Sequence, residues 1–477
     1  MAMAGFRKRT VLSVVIFISI FLVSCEASEN YVKSVLLDDQ IVFTGVPVHR
    51  DNLHWPEGRD SDWEMDIRYF AVNVLRNHPL LIDYNHMHSD GIARETYSYY
   101  VYEMLMRRAA ARNGILTNDI DVMRDGLRDI FIDKVNALIM DIPSRNDAEV
   151  KFGLSEAAAI FGDSHTRIHW ENENVFPVQI IALYDGIYFA GVPSEIEHAL
   201  YAELLAVNGI DIWEIVERIG KVHAHENEYG LRDITQFFLM SKELLRYIDV
   251  ADDSGLANFT VRLLSGEIAD IELQTIGKET FDSMIQGELF VRHEFSSLLM
   301  HRYPEKSFWH EYFYEDSLMY MRIRSFGERG VVDNLQAELR AWPQGELIEK
   351  LVVDLRGNAG GRSGWFMDHD LLGSDRVRAV YIIIDSGSAS ASVVAAATIR
   401  ESGANVKTVG EPTGQMENFF SAQRGNLPNS GLWYFVSMAI VVQSNSYDEA
   451  FRPDIFIPLT IGDIVERNDP VLDYIWP

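Results

Sequence analysis

The chain has 477 residues, too many for one core to serve alone, so two or three domains are expected. Hydrophobic residues make up 47% and aromatic residues 11%, which excludes a disordered chain. A formal net charge of −29 makes nucleic acid and anionic membrane surfaces poor partners.

FRKRT (Phe6 to Thr10) is a basic stretch, followed by an apolar run from Val11 to Val23 that is short for a spanning helix. The run ends at LVSC, and Cys25 is the single cysteine of the chain, so no internal disulfide can form. A small residue and then a cysteine at this place resembles a bacterial lipobox. The resemblance implies a lipoprotein signal peptide over 1–24, a lipid on Cys25, and an extracytoplasmic protein of the cell envelope held to a membrane by that lipid. Residues 25–61 read as a polar tether.

A helical domain is expected over 62–170. Trp63, Ile67, Phe70 and Val74 repeat at helical spacing, and further helical patterns cover Glu95–Arg112, Asp121–Met140 and LSEAAAIF (Leu154 to Phe161). From Phe176 the period changes to that of strands. FPVQIIAL and GIYFAGV flank an Asp185-Gly186 turn, an Asn208-Gly209 turn follows, and a hairpin turns at Ser265-Gly266. Several short strands with one or two helices over 171–280 suggest a small, partly open barrel of the PDZ type. Over 300–477 the strands LMYMRIRSF, LVVDLRG, AVYIIID, ANVKTVGE and WYFVSMAIVV alternate with helices through NLQAELRAW and the Ala-rich stretch. That alternation marks an α/β domain, whose chemistry is expected in loops beyond the carboxyl ends of its strands. The three domains are expected to have separate cores.

Two such loops stand out. DLRGNAGG (Asp354 to Gly361) can turn successive amides toward one point, and DSGSASAS (Asp385 to Ser392) sets Ser388, Ser390 and Ser392 at alternate positions before a helix. A serine there can cap the helix or act as a nucleophile at its amino end, and the stretch by itself leaves both open.

VVDLRGNAGG, DSGSASAS and TVGEPTG, in that order, together resemble the S41 family, the tail-specific or C-terminal-processing serine peptidases. The resemblance runs from about Trp63 to Trp476. It implies a crotonase/ClpP-like catalytic domain joined to a PDZ-like domain, a peptide or protein substrate, Ser390 as nucleophile, and oxyanion donors at Ala391, Gly360 and Gly361. The family's Ser–Lys dyad takes its lysine from the segment after GEPT, where this chain has Met416; Lys407 lies within the preceding strand. GDSHT (Gly162 to Thr166) resembles the GDGHT of the lysine-free branch and makes His165 the expected general base, although Ser164 stands where those relatives have glycine. For the group that orients His165, SYDEAFRPD offers Glu449 or Asp448, with Asn418 as a rival, and simple spacing places Tyr447 at the glutamate position.

NHMHSD (Asn85 to Asp90) has no third ligand at a recognisable spacing, and the glycines of DLRGNAGG do not form a dinucleotide fingerprint. No metal and no cofactor are expected. The leading reading is a serine endopeptidase, and the rival is a non-catalytic peptide-binding protein on the same scaffold. A crotonase-type acyl-CoA enzyme has no support from GDSHT or from the PDZ-like segment.

Overall fold

The computed structural model describes residues 58–82, 96–287, 290–292, 298–327, 337, 347–361, 377–401, 405–444, 446 and 448–477. The signal peptide, Cys25, most of the tether, NHMHSD, Tyr447 and, apart from Ala337, the helix expected through NLQAELRAW lie outside the described residues.

Four helices come first: α1 (Arg59–Asn77), α2 (Thr96–Arg112), α3 (Ile120–Asp141) and α4 (Asp147–Ala159). The apolar stripe of α1 buries Trp63, Ile67, Phe70 and Val74. It stops at His78 because Pro79 forces the residue before it out of helical geometry. Asp119 caps α3 by accepting the amides of Asp121 and Val122. α4 begins seven residues before the LSEAAAIF run, where Asn146 and Glu149 form a reciprocal capping box.

β1 (Arg167–Ile168) leaves this helical part. A separate antiparallel sheet follows, built from β2 (Gln179–Leu183), β3 (Gly186–Pro193), β4 (Glu203–Val207), β5 (Ile210–Asp211), β6 (Leu256–Arg262), β7 (Ile268–Gln274) and β8 (Phe290–Arg292). Its order is β8-β3-β4-β6-β7, with β2 on β3 and β5 on β4. α5 (Ile212–Val222) and α6 (Glu228–Phe238) interrupt the strands.

The third part is a six-stranded sheet of β9 (Phe308–Phe313), β10 (Leu318–Ile323), β11 (Ile348–Asp354), β12 (Val377–Ile384), β13 (Val406–Gly410) and β16 (Ile455–Phe456), in that order. β9 is antiparallel to β10 and every other pairing is parallel. β11, β12 and β13 therefore point their carboxyl ends the same way, which brings DLRGNAGG, DSGSASAS and GEPTGQ side by side. α7 (Ala391–Glu401) follows β12 and packs Val393, Ala396 and Ile399 against one sheet face.

The expectation of three separate cores is corrected. β14 (Phe419–Asn426) and β15 (Trp433–Val441) form a hairpin that leaves the main sheet and pairs with β1. One continuous apolar cluster joins the helices, the small sheet and this hairpin, while two others fill the two faces of the main sheet. The hairpin thus ties the helical part to the end of the sheet where the loops gather. No helix among the described residues is long and apolar enough to cross a membrane.

Candidate active site

Of the three alternating serines, one faces a histidine. Ser388 is buried and structural: its hydroxyl donates to the carbonyl of Leu355 at 3.0 Å and accepts the amide of Asp385 at 3.1 Å. Ser392 is buried within α7. Ser390 precedes the first residue of α7, and its Oγ lies 3.2 Å from Nε2 of His165. Its φ of 55° is left-handed, a strained setting for serine of the kind found at functional turns.

The turn that carries His165 is held by a buried carboxylate. Gly162, at φ 59°, lets the chain leave α4 sharply, and a Cβ there would strike the Arg112 guanidinium. Asp163 accepts the His165 amide at 2.8 Å, the Thr166 hydroxyl at 2.7 Å and the hydroxyl of Ser437 on β15. Nδ1 of His78 accepts the Leu80 amide at 3.2 Å, so His78 turns its Nε2 proton toward Asp163. Burial alone would raise the Asp163 carboxyl, but the His78 contact, the nearby imidazoles and Ser437 hold it down at about 2. The His165 ring stacks on Phe419, with centroids 5.6 Å apart. Burial, opposed by Asp163 and assisted by Arg167, pushes His165 down to about 4, so the ring is neutral at neutral pH.

Beneath Ser390, the glycine-rich turn is braced from within. Arg356 bridges Asp354 at 2.6 Å and Asp469 at 2.8 Å, both buried. Asn358 reaches the Ile323 carbonyl at 2.9 Å. Gly360, at φ 95°, passes so close that a Cβ there would lie 2.6 Å from Cβ of Ser390. Its expected role as an oxyanion donor needs correction, because its N–H is already donated to Asn358 Oδ1 at 2.9 Å. Gly361 bridges to Phe326. The amide of Ala391, first in its helix, has no acceptor within that helix.

The expected orienters of His165 are not beside it. The Glu449 side chain is 69% exposed and lies 3.9 Å from Arg108, since the chain turns it outward. Asp448 is exposed. Asn418 is spent on the loop beyond β15, donating to the carbonyls of Ser444 and Ser446 at 3.0 and 2.9 Å. Instead, Gln415 places Nε2 2.9 Å from Nδ1 of His165 and 2.8 Å from Oε1 of Glu226. Ser164 donates to the same Glu226 oxygen at 2.8 Å, and the Met416 amide donates to the other at 2.9 Å. Glu226 is buried; burial first, and Asp163 second, push its carboxyl up to about 7.

Neither Glu226 nor Gln415 was singled out from the sequence, although HENEYGL and GEPTGQMEN contain them. The segment before α6 is clamped from both sides. Arg108 and Arg112 donate to the Glu226 carbonyl, and Asn227 donates to the carbonyls of Thr413 and Glu449 at 3.0 and 2.7 Å. Met416, where the S41 resemblance leads one to expect a lysine, is buried, and Lys407 is exposed on β13.

Asp163, His165 and Glu226 bring one potential metal-ligating atom each within 4.8 Å of one another. Their carboxylate oxygens are already occupied by the protein donors described above, so the cluster is satisfied as a hydrogen-bond network.

Neither a family model nor a curated protein matches the sequence significantly. Solved structures do resemble the fold. Mature CPAF in complex with lactacystin has a TM-score of 0.54 at 10% identity, over 87% of this chain and 97% of that one. Mature CPAF alone gives 0.53 at 11% identity, over 87% and 96%. The tricorn protease is a weaker likeness, with a TM-score of 0.35 at 12% identity over 79% of this chain and 36% of that one. At such low identity the likeness speaks for architecture: the chain has a mixed α/β fold similar to that of CPAF.

Proposed function

We propose that the chain is a serine-type peptidase of the S41 kind, cleaving peptide bonds through an acyl-enzyme on Ser390. The observation that carries this reading is the 3.2 Å approach of His165 Nε2 to Ser390 Oγ from two distant parts of the chain. A neutral imidazole accepts the seryl proton as Oγ attacks the carbonyl, then returns it to the leaving amine. The Ala391 amide, at the positive end of α7, and a donor from the turn at Gly361 receive the developing oxyanion. Glu226 is the carboxylate that stabilises the imidazolium, as the acidic member of a triad does.

The lysine-free branch is favoured by Met416 at the lysine position and by the exposure of Lys407. Residues 171–280 are read as a PDZ-like domain that binds peptide or gates the cleft, supported by their separate sheet. Attachment to a bacterial membrane through a lipid on Cys25, with the enzyme outside the cytoplasm, rests on the N-terminal sequence.

A fluorophosphonate probe tests the reading, because it labels only an activated serine. Label is expected at Ser390, absent from Ser390→Ala, and competed by lactacystin, the compound present in the CPAF complex. A folded protein that takes no label at Ser390, even after replacement of Gln415, is instead a non-catalytic peptide-binding protein on this scaffold.

A further inference from the structure

We propose that Gln415 is a positioning residue that holds His165 in the tautomer with its proton on Nε2, and that the site becomes competent only when the Gln415 side chain withdraws from Nδ1. The inference rests on the peptidase reading and deepens it, adding a resting state to the same site.

Oε1 of Gln415 accepts the amide of Ser390, so its NH₂ faces the other way. That NH₂ carries two hydrogens and meets three acceptors: Glu226 Oε1 at 2.8 Å, His165 Nδ1 at 2.9 Å and Ser164 Oγ at 3.2 Å. Turning the carboxamide over would set Nε2 against the Ser390 N–H and Oε1 against the Glu226 carboxylate. Two good contacts would become two repulsive ones. Orientation of a Gln amide is assigned from such partners, and here both partners agree.

Nδ1 of His165 therefore offers its lone pair to Gln415, and the single proton of the neutral ring sits on Nε2. Nε2–H then donates to Ser390 Oγ. This is the reverse of the direction a general base requires, and a histidine held in the wrong tautomer loses most of its catalytic power.

Withdrawal of Gln415 leaves Nδ1 facing acceptors. Glu226 offers a carboxylate oxygen within the 4.8 Å cluster, and the Ser164 hydroxyl already donates to that carboxylate. A proton on Nδ1 is then favoured and Nε2 is bare. His165 as a residue is only partly buried, and exchange with water moves the proton: one water takes it from Nε2 and another supplies one to Nδ1.

Long-range 1H–15N correlation on the full-length, 15N-histidine-labelled protein at pH 7.5 reads the tautomer directly, with His165 assigned by its loss in His165→Gln. The wild type should show a bare Nδ1 and a protonated Nε2. Gln415→Met should reverse the pattern and raise the rate of fluorophosphonate labelling at Ser390 by about tenfold or more. Gln415→Glu, which keeps an acceptor for the Ser390 amide and gives Nδ1–H a carboxylate, should do the same if the Met variant folds poorly. A proton found on Nδ1 in the wild type overturns the proposal, as do folded variants with unchanged tautomer and rate. Reversal of the tautomer without any labelling upholds the role of Gln415 and overturns the peptidase reading.

Discussion

Nε2 of His78 lies 3.4 Å from Oδ2 of Asp163, and neither side chain reaches solvent. His78 ends α1 and Asp163 follows α4, while Ser437 on β15 donates to the same carboxylate. One buried anion thus joins three segments distant in sequence and fixes the turn from which His165 projects.

Asp163→Ala should cost about 3–5 kcal/mol, because it leaves the His165 amide and the buried Thr166 and Ser437 hydroxyls without their acceptor and removes the anion that His78 Nε2 faces. The sign with pH follows from a lowered carboxyl. Its contribution, about 2 kcal/mol, is present above pH 3.8 and is lost as pH falls toward about 2. Urea unfolding of wild type and variant between pH 2 and 7 checks both; an unchanged midpoint refutes the anchoring role.

The acid limb of the activity profile should belong to Glu226. With His165 at about 4 and Glu226 at about 7, the imidazole is already neutral where the carboxylate still gains charge. Peptide hydrolysis or probe labelling should rise through pH 7, and Glu226→Gln should remove that limb and lower the plateau by about 10²-fold or more. For stability the sign is opposite to that of Asp163. A raised carboxyl favours the fold below pH 4.5, and this contribution fades as pH rises through about 7. An unshifted limb near pH 4 in the wild type would instead assign the profile to His165.

Gly360→Ala is expected to disable the site with little loss of fold. The new Cβ would sit 2.6 Å from Cβ of Ser390 and 2.9 Å from the Ala391 amide, so the nucleophile must shift. A displacement near 1 Å costs about 10²-fold in rate. Labelling kinetics and thermal unfolding separate the two effects, and full-rate labelling of the variant would show that the turn yields instead.

Ser390→Ala and His165→Ala should each abolish hydrolysis, and the double variant should be no worse than either, as for groups that act as one unit. Lys407→Ala should stay within about twofold of wild type, because Lys407 stands exposed on β13 beside Tyr381. Loss of activity in Lys407→Ala with survival in His165→Ala would replace the Ser–His pair by a displaced Ser–Lys dyad.

Cys25→Ser should move the protein from the membrane fraction to the soluble fraction after detergent-free lysis. Retention in the membrane fraction would refute the lipid anchor.

Local chemistry was legible in the sequence. The stripe of α1 follows from helical period, the turns at Asp185 and Asn208 from their residues, and the placing of DLRGNAGG and DSGSASAS at the carboxyl ends of strands from the α/β alternation. Ser390 and His165 were legible only through the resemblance of DSGSASAS and GDSHT to motifs of the S41 family, since the serine stretch by itself left cap and nucleophile both open. The surroundings of His165 could not be chosen that way. Glu226 and Gln415 reach it only because α6, the GEPTGQ loop and the turn after α4 converge, and no spacing along the chain encodes that meeting. Glu449 lies near RPD as the resemblance requires, yet its backbone points the carboxylate to Arg108 and solvent. Gly360 lies where an oxyanion donor was expected, but Asn358 two residues earlier takes its N–H. A side chain's identity is written in the sequence; which donor meets which acceptor is decided when separate segments pack and every buried polar group must find a partner.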